Sequence, residues 1–190
     1  MLKAEIFRKL LNLWAIFIPV LSYLMPLASA RALLLLVTVV IVAIDFFRLH
    51  INGIKEGFIL FFGSFLRRRE LTNLSGATFL LLGCLITAFL FSRPIVISAC
   101  SFVIVGDTFA AMFGQNIKGP KLFKKTLIGS LAYLGSNLIV VAVLQFLLHV
   151  PFLYLFLGAL MSTVFEALPL PWDDNFSVPI LTGIGMSLIL

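Results

Sequence analysis

Long apolar runs divide the chain and constrain its fold more than any other feature. A membrane-spanning helix needs about 20 mostly apolar residues. Seven runs approach that length, near 10–26, 30–47, 73–92, 94–114, 127–149, 151–169 and 174–190. The chain is 62% hydrophobic and only 12% charged, whereas soluble domains are about a quarter charged. We therefore predict an all-α integral membrane protein with about seven transmembrane helices, forming a single multi-pass domain over residues 1–190.

Two further segments need their own interpretation. The stretch IKEGFILFFGSFL at 54–66 is apolar but too short to span, and three arginines follow it directly. This pattern predicts a short amphipathic helix lying in the membrane interface, with a re-entrant segment as the alternative. The first apolar run, followed by LASA at 27–30, resembles a cleavable signal peptide. Because the rest of the chain is equally apolar, we expect this run to be retained as the first helix.

Basic residues are distributed unevenly between the two sides of the predicted bundle. If the N-terminus is cytoplasmic, the outside segments hold only Arg31 and Arg93, and the cytoplasmic segments hold the other twelve of the 14 lysines and arginines. Such a bias is typical of membrane proteins. It predicts a cytoplasmic N-terminus and a cytoplasmic loop after residue 114. The net charge of +6 is then explained by topology, and we expect no nucleic-acid partner.

Asp107 is the most unusual residue of the apolar runs. A carboxylate within a membrane-length helix is costly, and its presence indicates a functional site by default. Asp107, Ala110, Ala111 and Gly114 have the spacing of one helix face. That face is otherwise small, so a ligand or another helix could approach it closely. A helix-packing groove with one polar side chain is the structural alternative.

The loop that follows supplies the opposite charge. Gly119 and Pro120 interrupt the helix, and Ser130 lies near the start of the next one. Lysines and helix-start amides suit phosphate oxygens, although a topology-setting lysine cluster would look the same. The lysines of this loop are Lys118, Lys121, Lys124 and Lys125.

A second acidic group follows at FEALPLPWDDNFSVP, residues 165–179. Glu166 ends one apolar run, and Asp173, Asp174 and Asn175 open the next. These residues could be ordinary helix caps, or they could supply oxygen ligands to Mg²⁺, which bridges to phosphates. Together with Asp107 they would place metal-binding acids and phosphate-binding lysines on one membrane face.

Several segments resemble the polyprenol kinase family, which groups dolichol kinases, phytol and farnesol kinases and CTP-dependent diacylglycerol kinases. GDTFAAMFG resembles the GDxxAxxxG element of that family, and EIFRKLLN its N-terminal element. RRRELTNLSGATFLLLG resembles its cytoplasmic segment, KKTLIGSLA its lysine-containing element, and EALPLPWDDNFSVP its acidic element. The resemblance runs in order through nearly the whole chain. Asn12 and Ile128 differ from the histidine and glutamate that the family often has there.

The resemblance implies a lipid-alcohol kinase that transfers the terminal phosphate of CTP, or of another nucleoside triphosphate, to a polyprenol, isoprenoid alcohol or diacylglycerol at the cytoplasmic face. It also implies Mg²⁺ or Mn²⁺ as cofactor. The residues expected to be catalytic are Asp107, Glu166 and Asp173. Those expected to bind nucleotide phosphates are Arg8, Lys9, Gly114, Lys118, Lys121, Lys125 and Ser130. Those expected to bind the metal are Asp107, Asp173, Asp174 and Asn175.

Two other functions compete with this one. A CTP:phosphatidate cytidylyltransferase would share the membrane helices, CTP and Mg²⁺, but its C-terminal signature is not found in this sequence. A transporter or non-catalytic membrane protein would distribute polar residues across the membrane thickness. In this sequence the acidic residues collect instead near the predicted cytoplasmic ends of the apolar runs.

Overall fold

The computed structural model describes residues 12–63, 66, 68–117, 119–123 and 125–189. Its described part contains eight α-helices, two short 3₁₀ helices and one two-stranded β-hairpin. The helices are α1 (Phe17–Leu24), α2 (Leu27–His50), α3 (Asn52–Phe62), α4 (Gly76–Leu90), α5 (Arg93–Asn116), α6 (Leu127–Leu148), α7 (Phe152–Ala167) and α8 (Asp174–Ser187). The strands are β1 (Lys121–Leu122) and β2 (Lys125–Thr126), and the 3₁₀ helices are Trp14–Ile16 and Arg68–Leu71.

The predicted helical class is confirmed, but the predicted number of membrane crossings is not. Within the described residues, each of the seven apolar runs overlaps an α-helix, and the short stretch at 54–66 overlaps α3. Among the described residues, only α2, α5 and α6 are long and apolar enough to cross a membrane. Helix α4 has 15 residues, α7 has 16 and α8 has 14. Ser75 and Asp173 cap the starts of α4 and α8, and Pro151 and Pro169 flank α7.

The β-hairpin is an element that the sequence analysis missed. Its strands pair antiparallel, with Lys121 opposite Thr126 and Leu122 opposite Lys125. Phe123 forms part of the turn, with a positive φ of 56°. Two-residue strands are too short to show an alternating pattern in the sequence. The loop between α5 and α6 therefore contains a short hairpin, with Lys125 at the start of its second strand.

Side-chain caps begin three of the helices. The Ser75 hydroxyl accepts a hydrogen bond from the Thr78 amide at 3.2 Å, and the Thr126 hydroxyl accepts one from the Gly129 amide at 3.1 Å. Asp173 caps α8 in the same way. Such caps satisfy amides that have no partner within the helix. They define where α4, α6 and α8 start.

Helix α5 is the central element of the bundle. It packs against α1, α4, α6, α7 and α8. In the apolar 18-residue segment of α5, 72% of the segment is buried inside the bundle. The share for the corresponding segment of α2 is 17%. Asp107 therefore lies on the most enclosed helix of the three that could cross a membrane.

The two ends of the bundle differ in chemistry. At one end the hairpin, the segment 68–75 and the loop 168–173 come together, and we call this the hairpin end. It contains the Arg69–Asp173 ion pair at 2.8 Å. At the opposite end, Arg93 donates to the Met25 carbonyl at 3.0 Å and Arg31 to the Ala88 carbonyl at 2.6 Å. The two basic residues predicted outside thus lie together at the end opposite the hairpin.

Candidate functional site

Lys125 connects three elements at the hairpin end. Its Nζ atom, on β2, lies 2.8 Å from Oε1 of Glu166 at the end of α7 and 2.6 Å from Oδ2 of Asp174 at the start of α8. Burial alone would lower the pKa of Lys125, but the two carboxylates outweigh burial and raise it above the ordinary value for lysine. Lys125 therefore remains protonated at neutral pH and holds α7 and α8 against the hairpin.

Glu166 uses only one of its two oxygens in this contact. The residue is only 3% exposed. Its Oε2 atom is buried and has no hydrogen-bond partner within the described part of the chain. Asp107 lies near enough to Glu166 for the two carboxylates to interact electrostatically. Since buried polar atoms in folded proteins are nearly always paired, Oε2 of Glu166 keeps an unused capacity to accept a hydrogen bond.

The small-residue face of α5 includes Ala110 and Gly114, as predicted, and also Gly106. A Cβ atom on Gly106 would lie 2.6 Å from the Tyr133 ring, and one on Gly114 would lie 3.0 Å from the Cα of Gly129. The face that packs against α6 is thus formed by Gly106, Ala110 and Gly114. Part of the predicted face is therefore a helix-packing surface. Gly114 serves this packing, and its phosphate contact stays a prediction.

The predicted metal ligands are not assembled into a metal site. Asp173 accepts the Asn175 amide at Oδ1 (3.1 Å) and binds Arg69 at Oδ2 (2.8 Å). Asp174 binds Lys125. The side-chain amide of Asn175 donates to a backbone carbonyl. Over the described ranges, no three His, Cys, Asp or Glu side chains are grouped so that they could hold a metal ion. Arg69 and Lys125 are the cations that contact the two aspartates, and metal binding by these residues stays a prediction.

A polar pocket of about 260 Å³ opens at this point of the hairpin end. Arg69 and Trp172 were not predicted as site residues. A signal for Arg69 exists in the arginine triplet that precedes α4, and Trp172 lies within the acidic stretch that was singled out. The pocket is lined by Arg69, Lys125, Leu168, Pro169, Leu170, Pro171, Trp172, Asp173 and Asp174.

A buried ion pair holds the segment that carries Arg69. The Arg48 side chain is 1% exposed and lies 2.7 Å from Oδ1 of Asp45. Arg48 also donates to the Glu70 carbonyl at 2.7 Å, and Oδ2 of Asp45 accepts the Ser75 amide at 2.7 Å. Asp45 and Arg48 are three positions apart on α2. The additional hydrogen bonds of this ion pair tie residues 70–75 to the end of α2.

The remaining predicted site residues fall into three groups. Ser130 is buried, and its hydroxyl has no hydrogen-bond partner among the residues that the structure describes. Lys121 lies in β1, is exposed, and is not part of the pocket lining. Arg8, Lys9 and Lys118 lie outside the described residues. The structure thus brings Lys125, Glu166 and the two aspartates of α8 together, and it places Asp107 near them.

Comparison with known proteins adds one relative. The chain is 27% identical over 180 residues to an uncharacterized protein of Rickettsia prowazekii (strain Madrid E). The alignment covers 91% of this chain and 88% of that protein. No family model matches the sequence, and no solved structure matches the chain.

Proposed function

We propose that this protein is a membrane lipid-alcohol kinase. It transfers the terminal phosphate of CTP, or of another nucleoside triphosphate, to a polyprenol, isoprenoid alcohol or diacylglycerol. The observation that carries the proposal is the cluster around Lys125. There a partly buried lysine, an arginine and three carboxylates lie together at one end of an apolar helical bundle. We place this end in the cytoplasm, where nucleotides are available, because of the predicted distribution of basic residues.

The two cations are suited to nucleotide phosphates. Phosphoryl transfer depends mainly on positioning and on stabilising the charge of the transferred group. Arg69 and Lys125 line one pocket, and each now holds a partly exposed aspartate. Phosphate oxygens make strong charge-assisted hydrogen bonds with both side-chain types. On this proposal, an incoming triphosphate replaces Asp173 and Asp174 as the partner of the two cations.

Glu166 is the better candidate for orienting the lipid hydroxyl. One oxygen of Asp173 caps α8, and the other faces Arg69, where the triphosphate is proposed to bind. Oε2 of Glu166 is buried and available. The lipid hydroxyl would donate to Oε2 while its oxygen attacks the terminal phosphorus. The bond from that phosphorus to the β-phosphate oxygen breaks, the nucleoside diphosphate leaves, and Glu166 accepts the hydroxyl proton.

The metal enters this proposal with the substrate. The described carboxylates do not form a resident metal site. Mg²⁺ in enzymes that use nucleotides is commonly held by one or two carboxylates together with substrate phosphates. We therefore propose that the substrate is the Mg²⁺ or Mn²⁺ complex of the nucleotide.

A labelling experiment tests the proposal and separates it from its nearest competitor. Purified protein is incubated with CTP labelled at either the γ- or the α-phosphate, together with diacylglycerol, polyprenols, short isoprenols or phosphatidate. The proposed kinase transfers label to an alcohol from γ-labelled CTP and not from α-labelled CTP. A cytidylyltransferase would label phosphatidate from α-labelled CTP instead. The absence of label in every alcohol, with CTP and with ATP, would refute the kinase.

Matched variants connect this activity to the site. Lys125→Ala removes the cation that contacts Glu166 and Asp174. Lys55→Ala removes a positive charge from α3, and Lys55 is not one of the residues that line the pocket. We expect Lys125→Ala to reduce label transfer by at least about 100-fold, the usual effect of losing one electrostatic catalytic group. Lys55→Ala should leave transfer unchanged.

A further inference from the structure

The tryptophan in the polar pocket suggests a more specific role for the hairpin end. Trp172 is 64% exposed although it belongs to the pocket lining. Asp173 and Asp174 follow it directly in the sequence. Asp173 binds Arg69, and Asp174 binds Lys125. A large and mostly exposed aromatic side chain thus lines the same small pocket as two cations.

The loop that carries Trp172 is conformationally restricted. Pro169 and Pro171 flank Leu170, and proline restricts its own φ to about −65°. The Leu170 amide donates to the Leu168 carbonyl at 2.9 Å. Immediately after Trp172, Asp173 caps α8 through the Asn175 amide. A ring on such a loop can be positioned before a ligand arrives, which lowers the entropy that binding would cost.

We infer that Trp172 is the stacking platform for the nucleobase of the nucleoside triphosphate, with Arg69 and Lys125 receiving its phosphates. The inference rests on the proposed function and adds the residue that would contact the base. Every base has a π-face, and stacking on an aromatic side chain contributes to binding without hydrogen-bond recognition. The charged residues around the pocket favour a nucleotide over a lipid tail, because a lipid tail would bury four charged side chains in the pocket lining without replacing their hydrogen bonds.

Fluorescence provides a direct test. The chain has two tryptophans, and Trp14 lies in the first 3₁₀ helix, outside the pocket lining. Trp14→Phe therefore leaves Trp172 as the single tryptophan of the full-length protein. We expect Mg–CTP to quench this fluorescence in a saturable manner. Inorganic tripolyphosphate, which has no base, should displace CTP and restore the signal without quenching by itself.

Kinetics of matched variants give a second readout. Trp172→Ala should raise the KM for nucleotide about 5- to 150-fold, which corresponds to about 1–3 kcal/mol of base stacking, with a much smaller change in kcat. Trp172→Phe keeps a π-face and should recover most of the loss. Phe123→Ala removes another exposed aromatic side chain of the hairpin end that does not line the pocket. It should leave the KM unchanged.

The outcomes separate this inference from the proposed function. Saturable quenching by CTP in a protein that labels no lipid would support the base platform and refute the kinase. Active transfer with an unchanged KM in Trp172→Ala would refute the platform and leave the kinase intact. Quenching of Trp172 by brominated lipids, without any response to CTP, would identify it as a membrane-interface anchor and overturn the inference.

Discussion

Lys125 and Glu166 form an ion pair whose partners come from the hairpin and from α7. Removing Lys125 alone leaves the carboxylate of Glu166 buried without its cation, which is strongly destabilising. We expect Lys125→Met to lower the free energy of unfolding by up to about 3 kcal/mol, and with it the melting temperature in detergent. The expected loss is kept at this level because the Lys125 side chain is 29% exposed. Lys125→Met combined with Glu166→Gln should recover most of this loss.

The recovery is measured by a double-mutant cycle on the two side chains. Glu56→Gln, which neutralises an acidic residue of α3, serves as the control partner for Lys125→Met. Additive effects for Lys125 and Glu166, equal to those with the control, would mean that the ion pair contributes nothing to stability.

At the residue scale, the sequence predicted which charged residues belong to the site, but not which of them pair with one another. Lys125, Glu166 and Asp174 were all predicted site residues, because charges are rare in this apolar chain and therefore conspicuous. Their pairing could not be predicted, since Lys125 and Asp174 are 49 positions apart and no pattern relates them. Arg69 was missed for the same reason, because its distance in sequence from Asp173 hides the contact.

Helices α5 and α6 approach closely through Gly106, where any Cβ would clash with the Tyr133 ring at 2.6 Å. The Tyr133 hydroxyl shares a hydrogen bond with Ser162 at 2.8 Å. Gly106→Ala should displace the ring, disturb this hydrogen bond and destabilise the protein by about 1–3 kcal/mol. The measurement is thermal unfolding in detergent.

The control for this variant lies in the partner helix. Gly135 of α6 has no atom within 4 Å of an added Cβ. Gly135→Ala should be neutral or stabilising by up to about 1 kcal/mol, because alanine favours helix over glycine. Equal stability of Gly106→Ala and Gly135→Ala would contradict the close packing of α5 on α6.

At the element scale, apolar runs predicted where helices occur but not how long they are. The run at 151–169 contains α7, which ends at Ala167, one residue after Glu166, the residue that forms an ion pair with Lys125. Helical spacing predicted Ala110 and Gly114 as part of the small-residue face of α5, but not Gly106. That spacing shows which residues can share a face, whereas the neighbouring helix determines which face packs. Gly106 lay outside the face chosen from sequence, so its contact with Tyr133 was not foreseen.

The orientation of the whole bundle is the first prediction at the molecular scale. We expect the hairpin end in the cytoplasm, because twelve of the 14 basic residues belong to the segments predicted there. Single cysteines at Lys121 and His149 mark the two ends, in a chain whose native cysteines are replaced by alanine. An impermeant maleimide should label the cysteine at 149 in intact cells and that at 121 only after lysis. The reverse labelling pattern would show that the bundle has the opposite orientation in the membrane.

Dependence on divalent cations is a second prediction for the whole molecule. Because the metal is proposed to arrive with the nucleotide, the rate should follow the concentration of the Mg–CTP complex and vanish in excess chelator. Thermal stability in detergent should be unaffected by the same chelator, since the described residues form no metal site. Full turnover in chelator would exclude the metal complex as substrate. A large loss of stability would instead point to a resident structural ion.

The most direct test of a kinase site near Asp107 is label transfer by Asp107→Asn. The substitution removes a negative charge near Glu166 and changes the volume little, and a neutral amide is easier to bury than a carboxylate. We predict normal expression, unchanged melting in detergent, and transfer from γ-labelled CTP to lipid alcohol reduced by at least about 100-fold. An Asp107→Asn protein that folds normally and transfers phosphate at the original rate would contradict the proposal that Asp107 belongs to the catalytic site.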